Sequence, residues 1–262
     1  MNKKPRILTL DIETAPLKSY HWGLWDQNIG IEQIDVDWSI LAYGAKWLDK
    51  PKFIYRDTGG RGESKTRDDA ALLDEIALLL DEADLVVAQN GKKFDIKKIN
   101  TRLIQANIPP YSPIRVIDTQ EVAKKHFGFP SNKLAYTSKI LTDTPKDDHR
   151  KFPGFELWRE CLADNPKAWK EMKKYNKRDV IATEKYYLRL RPWIEHHPNV
   201  SIYHDSEIPS CPKCDSTDLQ SRGESVTQAG RYKRNQCQTC GGWSRGKQLL
   251  NTLQVRKSKL TN

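Results

Sequence analysis

Apolar and polar positions follow two different periods along the first two thirds of the chain. Short apolar runs predict strands at residues 6–11, 39–48, 52–57, 84–88 and 114–118. Apolar residues spaced three and four apart predict helices at 66–82 and 94–107, and helical spacing continues after residue 119 with breaks near 130, 145 and 166. Early antiparallel strands followed by strand and helix units predict an α/β fold with a mixed sheet flanked by helices.

The cysteines mark a second region at the end of the chain. Two C-x2-C pairs, Cys211 with Cys214 and Cys237 with Cys240, are separated by 22 residues. Such pairs present four thiolates to one tetrahedral ion, which predicts a structural Zn2+ site in a small zinc ribbon. Two disulfides are the alternative, and the lack of any sign of secretion favours the metal. The fifth cysteine, Cys161, is expected to be a small core residue.

The charge distribution separates the same two regions. The chain has 262 residues and a net charge of +10, yet residues after Glu224 include eight Lys or Arg and no Asp or Glu. An acid-free basic segment is typical of contact with a polyanion, although a tail that only aids solubility is the simpler alternative. No apolar run is long enough for a membrane span, so we expect a cytoplasmic protein that does not contact membranes.

Acidic residues occur where the predicted elements would expose them. Asp11 and Glu13 end the first strand, and the period of two places both carboxylates on one face. Asp95 begins the second predicted helix, and Tyr175 and Asp179 are four residues apart on a helical face. Each feature alone is common on protein surfaces. Their converging carboxylates would repel one another, which indicates a bound divalent cation.

These motifs resemble those of the DEDD superfamily of 3′-to-5′ exonucleases, which includes DNA-polymerase proofreading domains and RNA-trimming enzymes. The first motif, D-x-E-T, corresponds to Asp11–Thr14, the second, N-x(3)-F-D, to Asn90–Asp95, and the third, Y-x(3)-D of the tyrosine branch, to Tyr175–Asp179. The resemblance covers about residues 5 to 192. It implies a ribonuclease H-like fold, and the arrangement looks most like phage or bacterial exonucleases.

The resemblance also implies a mechanism with two divalent ions, Mg2+ or Mn2+, that removes nucleoside monophosphates from a 3′ end. Asp11 would then bridge both ions, Glu13 and Asp179 would complete the ion on the nucleophile side, and Asp95 would act mostly through water. Tyr175 would orient the attacking water. Residues 1–200 are accordingly predicted to form the exonuclease domain, and residues 205–262 a basic zinc ribbon with four cysteine ligands that binds nucleic acid.

Several residues near the motifs are candidates for substrate contact. Thr14 and Asn90 belong to the first two motifs, Lys92 begins a run of basic residues, and Trp22 lies in a long loop at 15–38 that a minimal family domain does not need. The lysines can instead keep helix faces soluble. The aromatic residues of the loop can stack on bases or pack onto the domain, and packing is slightly favoured.

The expected partner is nucleic acid with a single-stranded 3′ end, with DNA favoured over RNA. A replication or repair protein is a possible further partner that the motifs do not identify. Two alternative functions stay open: a non-catalytic nucleic-acid-binding protein that keeps the acids as a structural relic, and a structure-specific endonuclease. The intact set of acids and Tyr175 argues against the first alternative.

Overall fold

The computed structural model describes residues 4–146, 149–228 and 230–260. The chain divides into two compact units, one of Arg6–Tyr187 and one of Leu188–Asn262 together with Met1–Pro5. This division falls earlier than the boundary predicted near residue 205, and the assignment of functions to 1–200 and 205–262 stays a prediction. None of the described helices combines the length and the hydropathy needed to cross a bilayer.

The first unit alternates strands and helices in the predicted order. Its strands are β1 (Ile7–Thr14), β2 (Lys18–Ser19), β3 (Ile34–Val36), β4 (Ile40–Trp47), β5 (Phe53–Asp57), β6 (Leu85–Ala88) and β7 (Arg115–Asp118). Its helices are α1 (Ala70–Asp81), α2 (Asp95–Gln105), α3 (Thr119–His126), α4 (Leu134–Leu141), α5 (Glu156–Leu162) and α6 (Pro166–Leu190), the last of which continues past the division between the units.

Five of these strands form one mixed sheet in the order β5-β4-β1-β6-β7. The strand β1 runs antiparallel to β4 and parallel to β6, so it lies at the centre with partners on both sides. The parallel pair of β6 and β7 completes the sheet, and β4 and β5 form an antiparallel hairpin. The structure thus confirms the predicted mixed sheet.

Helices cover both faces of this sheet. Alternate residues of β1, including Leu8, Leu10 and Ile12, pack with apolar side chains of α1 and α2 in one core. The second core joins Leu41 and Ala42 of β4 to apolar side chains of α5 and α6. Since Ile12 faces the first core, the flanking residues Asp11 and Glu13 face the side of α6.

Two features differ from the sequence expectations. The helix α1 begins at Ala70 and not at residue 66, and the carboxylate of Asp69 accepts hydrogen bonds from Ile40 N at 2.9 Å and from Arg102 at 2.7 and 2.8 Å. This acid therefore ties α2 to β4 instead of entering the first helical turn. The long loop after β1 contains β2 and β3, which pair antiparallel in a small separate sheet.

The second unit contains a three-stranded antiparallel sheet in the order β10-β9-β8. Its strands are β8 (Leu219–Thr227), β9 (Gly230–Cys237) and β10 (Trp243–Leu249), and they are followed by the short helix α7 (Leu253–Lys257). The strands lie next to the cysteine pairs, as expected for a ribbon built of short hairpins.

Candidate active site

Three carboxylates from distant parts of the sequence meet beside the central strand. Asp11 and Glu13 project from β1 toward α6, which supplies Asp179, and one carboxylate oxygen of each lies within 4.8 Å of the others. Glu13 and Asp179 are buried, with 8% and 3% of their surfaces exposed, and Asp11 is partly buried. Oxygen ligands at this separation form a set that a hard cation such as Mg2+ or Mn2+ can bind.

Asp95 lies next to this group but outside it. It is the first residue of α2, as predicted, and its Oδ1 accepts a hydrogen bond from Ile12 N at 3.0 Å. Its negative charge helps to raise the pKa values of Asp11 and Glu13. Asp95 is therefore close enough to influence the group electrostatically while its carboxylate supports the β1 backbone.

Tyr175 and Lys146 flank Asp179 on one side. Tyr175 is four residues before Asp179 on α6, and its hydroxyl is close enough to work toward lowering the pKa of Asp179. The Lys146 ammonium forms an ion pair with Asp179 Oδ2 and lies 4.6 Å from the centre of the Tyr175 ring. Burial works to lower the pKa of Lys146, but Asp179 and Tyr175 outweigh it and raise the pKa above its usual value. Lys146 therefore stays charged at neutral pH.

Asn176 fixes the position of Asp11. Its side-chain Nδ2 donates to Asp11 Oδ2 at 2.8 Å, and Asn176 is fully buried. Its amide can approach because β4 carries Gly44 opposite Asp11 in the antiparallel register. A Cβ atom at Gly44 would lie 1.8 Å from Asn176 Oδ1, far below any van der Waals contact. Position 44 thus accepts no side chain while Asn176 keeps its present place.

Glu13 has an aromatic partner that the sequence analysis did not single out. Trp158 of α5 donates a hydrogen bond to the Glu13 carboxylate. The Trp158 ring also packs edge-on against Tyr175 and His149, with ring centres 6.0 and 5.5 Å apart. The His149 ring in turn lies 4.9 Å from the Tyr175 ring, and His149 Nδ1 donates a hydrogen bond to Phe152 O at 2.8 Å. These aromatic contacts hold Tyr175 and Glu13 in fixed relative positions.

The electrostatics of the group favour binding of a cation. Burial raises the pKa of Glu13 to about 8, with Asp179 adding to the effect. Burial together with the charges of Glu13 and Asp179 raises the pKa of Asp11, and burial raises that of Asp179 despite Lys146. In addition, Asp179 Oδ1 is buried without a hydrogen-bond partner among the described residues. A divalent cation would relieve this repulsion and engage that oxygen, so the residues fit such an ion.

The second motif forms a turn held by Asp118. Asn90 adopts a positive φ of 61°, and its backbone N donates to Asp118 Oδ1 at 3.0 Å while Lys92 N donates to Oδ2 at 3.2 Å. The Lys92 ammonium pairs with Glu121 at 2.7 Å on the surface. Asn90 therefore anchors the turn, and the charge of Lys92 already has a protein partner.

The remaining two candidates lie at the end of β1 and in the loop beyond it. Thr14 is partly buried and follows a shift in the register between β1 and β4. Trp22 is fully exposed, and Trp25 and Tyr20 are 83% and 69% exposed. The expectation that these aromatic residues pack onto the domain is wrong for Trp22, whose ring is available for contact with another molecule.

The four cysteines of the second unit converge as the spacing predicts. Their sulfur atoms all lie within 4.8 Å of one another, with Cys211 and Cys240 at 3.7 Å and Cys214 and Cys237 at 3.6 Å. These distances exclude disulfides, in which the sulfurs are about 2.05 Å apart. A tetrahedral ion with zinc–sulfur bonds of about 2.3 Å places its ligands about 3.8 Å apart. The thiols therefore fit Zn2+, whereas Cys161 lies in the second core as expected.

Comparison with protein families found one matching model, described as the RNase_H superfamily, which covers residues 42–191. The matched segment runs from β4 into the residues after α6, so it includes Asp95, Tyr175 and Asp179 and begins after Asp11 and Glu13. No curated protein matches the chain.

Among solved structures, the family B DNA polymerase from the hyperthermophilic archaeon Pyrobaculum calidifontis is similar to this chain, with a TM-score of 0.53 and 15% identity. The alignment covers 73% of this chain and 25% of the polymerase. At this identity the likeness concerns the fold. Together with the family match it confirms the expected ribonuclease H-like architecture and supports a nuclease-type function.

Proposed function

The chain belongs to the RNase_H superfamily, and from that membership we propose that it is a metal-dependent 3′-to-5′ exonuclease acting on nucleic acid, with DNA preferred. The observation that carries the proposal is the meeting of Asp11, Glu13 and Asp179 within 4.8 Å, with the Tyr175 hydroxyl close to Asp179. The 3′-to-5′ direction rests on the resemblance of the three motifs to the tyrosine branch of the DEDD exonucleases.

The carboxylates would hold Mg2+ or Mn2+, which supply charge stabilisation for the attacking and leaving oxygens of the phosphodiester. Asp11, Glu13 and Asp179 offer the ligand oxygens, and Asp95 is positioned to act through water. Asn176 and Trp158 orient Asp11 and Glu13, so the ligands are arranged before the substrate arrives. This preorganisation lowers the cost of reaching the transition state.

Tyr175 would position the attacking water by hydrogen bonding. Burial and the charge of Asp179 raise the pKa of its phenol above the usual value, so the hydroxyl stays protonated at neutral pH. Such a group directs a water oxygen toward phosphorus but does not remove its proton. The nearby Lys146 ammonium adds a fixed positive charge that attracts the phosphodiester anion.

The second unit would serve to capture the substrate. In this proposal Cys211, Cys214, Cys237 and Cys240 hold a structural Zn2+, and the basic segment of 205–262 binds the nucleic acid on which the exonuclease domain of 1–200 acts. All four sulfurs are ligands in that arrangement, so the zinc has no open position for catalysis.

A cleavage assay on defined substrates tests the proposal. Single-stranded DNA labelled at its 5′ end should shorten stepwise from the 3′ end in Mg2+ or Mn2+, and a circular single strand should stay intact. The Asp11→Ala variant should lose at least about 10³-fold in rate because it removes ligands for the metal that stabilises transition-state charge. The control is Asp74→Ala, which removes an exposed acid of α1 and should cleave normally.

Each alternative function has a distinct result in this assay. Cleavage of the circle would establish an endonuclease. Intact linear DNA and RNA, with no difference between the natural chain and Asp11→Ala, would establish a binding protein without catalysis. A parallel time course on RNA of the same sequence measures the proposed preference for DNA.

A further inference from the structure

The sheet of the second unit has one face that concentrates arginine and aromatic side chains. In the register of β9 and β10, Arg234 lies opposite Arg245 and Gln236 lies opposite Trp243. Residues directly opposite each other, and residues two apart on a strand, share a face. Tyr232 and Arg222 belong to the same face, since Tyr232 is two residues from Arg234 and Arg222 bonds to the Gln236 side chain. We call these five residues the arginine face: Arg222, Tyr232, Arg234, Trp243 and Arg245.

Two of the three arginines of this face are stacked on its aromatic rings. The Arg245 guanidinium lies 4.2 Å from the centre of the Tyr232 ring, and that of Arg234 lies 5.0 Å from the centre of the Trp243 ring. Arg234 Nε also donates to Arg222 O at 2.9 Å. Stacking restricts a guanidinium while leaving edge N–H groups for anions, so less freedom is lost when a phosphate binds.

The charge around this face is unbalanced. The three strands contain one acidic residue, Glu224, which lies opposite Lys233 and pairs with Arg231 at 3.1 Å. An adjoining cavity of about 400 Å³ is lined by Arg234, Trp243 and Arg245 of the face, by Lys213, and by other residues that include Glu195. Arg222, Arg234 and Arg245 are all exposed, so their charges are available to an anion.

We propose that the arginine face binds single-stranded nucleic acid, with its arginines on the phosphates and Trp243 stacked on an unpaired base. Trp243 is 44% exposed, which leaves ring surface for such a contact. An exposed aromatic ring between cations is suited to a single strand because the bases of a duplex are already stacked on each other. The inference deepens the capture role proposed for the basic ribbon, and it rests on the proposed action on nucleic acid.

The test measures binding by the full chain without cleavage. All variants carry Asp11→Ala, and the probe is a fluorescent single strand of about 20 nucleotides, long enough for a site of this kind, titrated by anisotropy at several salt concentrations without added Mg2+. The pair Arg234→Gln and Arg245→Gln should weaken binding at least about tenfold at low salt and reduce the salt slope by about 1.4, the value for two lost phosphate contacts on a single strand.

A second pair of arginines provides the matched control. Arg231 and Arg256 line a separate cavity of about 430 Å³ in the same unit, so Arg231→Gln with Arg256→Gln removes the same charge from another place. This pair should weaken binding less than about threefold, because its charges act only through the general field of the unit. An equal or larger loss with the control pair would overturn the proposal, because net charge or the other cavity would then account for binding.

Substitutions of Trp243 distinguish the contribution of base stacking to binding from the contribution of charge. Trp243→Ala should weaken binding of the single strand roughly tenfold with an unchanged salt slope, while Trp243→Phe should keep most of the affinity. A Trp243→Ala chain that binds as tightly as the parent would refute the stacking contact. A duplex probe of equal length should bind more weakly than the single strand, and the reverse order would also contradict the proposal.

Metal content confirms that the variants keep their fold. If the chain with both glutamine substitutions loses zinc, the chain with Arg234→Lys and Arg245→Lys provides the test instead. It keeps both charges, and its affinity for the single strand should fall about threefold because lysine cannot form the planar stacks. Lysine variants that bind like the parent would overturn the arginine contacts. Failure of the exonuclease proposal can be distinguished from failure of this inference. It would appear as a lack of cleavage by the chain with intact Asp11, whatever the affinity of the arginine face for the single strand.

Discussion

The two units present their charges in opposite ways. The acids of the candidate active site in the first unit are mostly buried and come from β1, α2 and α6, whereas the arginines of the arginine face in the second unit are exposed and come from adjacent strands. Buried carboxylates repel one another strongly and therefore either keep a proton or bind a cation. Exposed arginines remain hydrated and can exchange partners, so they suit a long, sliding anion. The comparison indicates that burial distinguishes the proposed metal site from the proposed substrate-binding surface.

The stability of the two units should depend on different metals. Cys237→Ser removes one ligand of the proposed zinc site, and we expect the second unit to unfold because zinc binding supplies on the order of 10 kcal/mol to such small domains. Hydrogen exchange should show lost protection in β8, β9 and β10, with β1, β4 and β6 still protected.

The fifth cysteine is the control for this experiment. Cys161→Ala changes a thiol in the core of the first unit and should leave the zinc content of the chain unchanged. Equal zinc content in the Cys237→Ser chain would contradict the four-cysteine site, and loss of protection in both units would remove the contrast between them.

The first unit should respond to pH in a way that the second does not. Burial raises the pKa of Glu13 to about 8 and that of Asp95 to about 7, whereas the unfolded chain releases these protons near pH 4. Without a divalent ion, the stability gained from holding these protons is complete below about pH 4 and is lost as the pH rises toward 8. We expect the melting temperature of the metal-free chain to fall over this range.

Added Mg2+ should reverse this trend, because the ion binds the deprotonated carboxylates and its stabilising effect grows from about pH 5 to about pH 8. Glu13→Gln removes a titrating group and should flatten the profile measured without Mg2+. A melting temperature that rises with pH in the metal-free chain would show that the acids are not coupled as described.

The smallest expected effect concerns the support of Asp11. Asn176→Ala removes the hydrogen bond to Asp11 Oδ2 and should weaken Mg2+ or Mn2+ binding about 10- to 100-fold, as found for outer partners of metal ligands. Gly44→Ala should have a similar effect, because the new Cβ would collide with the Asn176 amide. Metal affinity is measured by the Mn2+ concentration that half-saturates cleavage.

A neighbouring substitution distinguishes positioning from general destabilisation. Ala45→Gly lies next to Gly44 on the same strand, opposite Leu10 and buried in the first core, so it should change the melting temperature but not the Mn2+ requirement. An Asn176→Ala chain with the natural Mn2+ requirement would exclude a positioning role for Asn176.

Local spacing was sufficient to predict much of the candidate site. The period of two placed Asp11 and Glu13 on one face, and the helical spacing of four placed Tyr175 beside Asp179. The cysteine spacing likewise predicted the convergence of four sulfurs. In each case the relevant geometry is set within one element or one tight turn, which periodicity describes well.

The supporting residues could not be predicted because their roles depend on tertiary register. Gly44 is important only because the pairing of β4 with β1 places Gly44 opposite Asp11. The local sequence pattern does not predict that register. Lys146 and Trp158 reach the acids from irregular and helical segments far from the motifs. Asn176 was visible inside the third motif, yet its contact with β1 requires the position of α6 on the sheet.

The bond between Asn176 and Asp11 joins residues 165 positions apart, which bears on how the protein is made. At a synthesis rate of about 5–20 residues per second, the strand with Asp11 waits roughly 10 to 30 s for its partner to emerge from the ribosome. The nascent chain therefore carries Asp11 and Glu13 without Asn176 and Asp179 of α6 through most of translation. Assembly of the centre becomes a late event, so the proposed nuclease action can begin only after α6 has been synthesised.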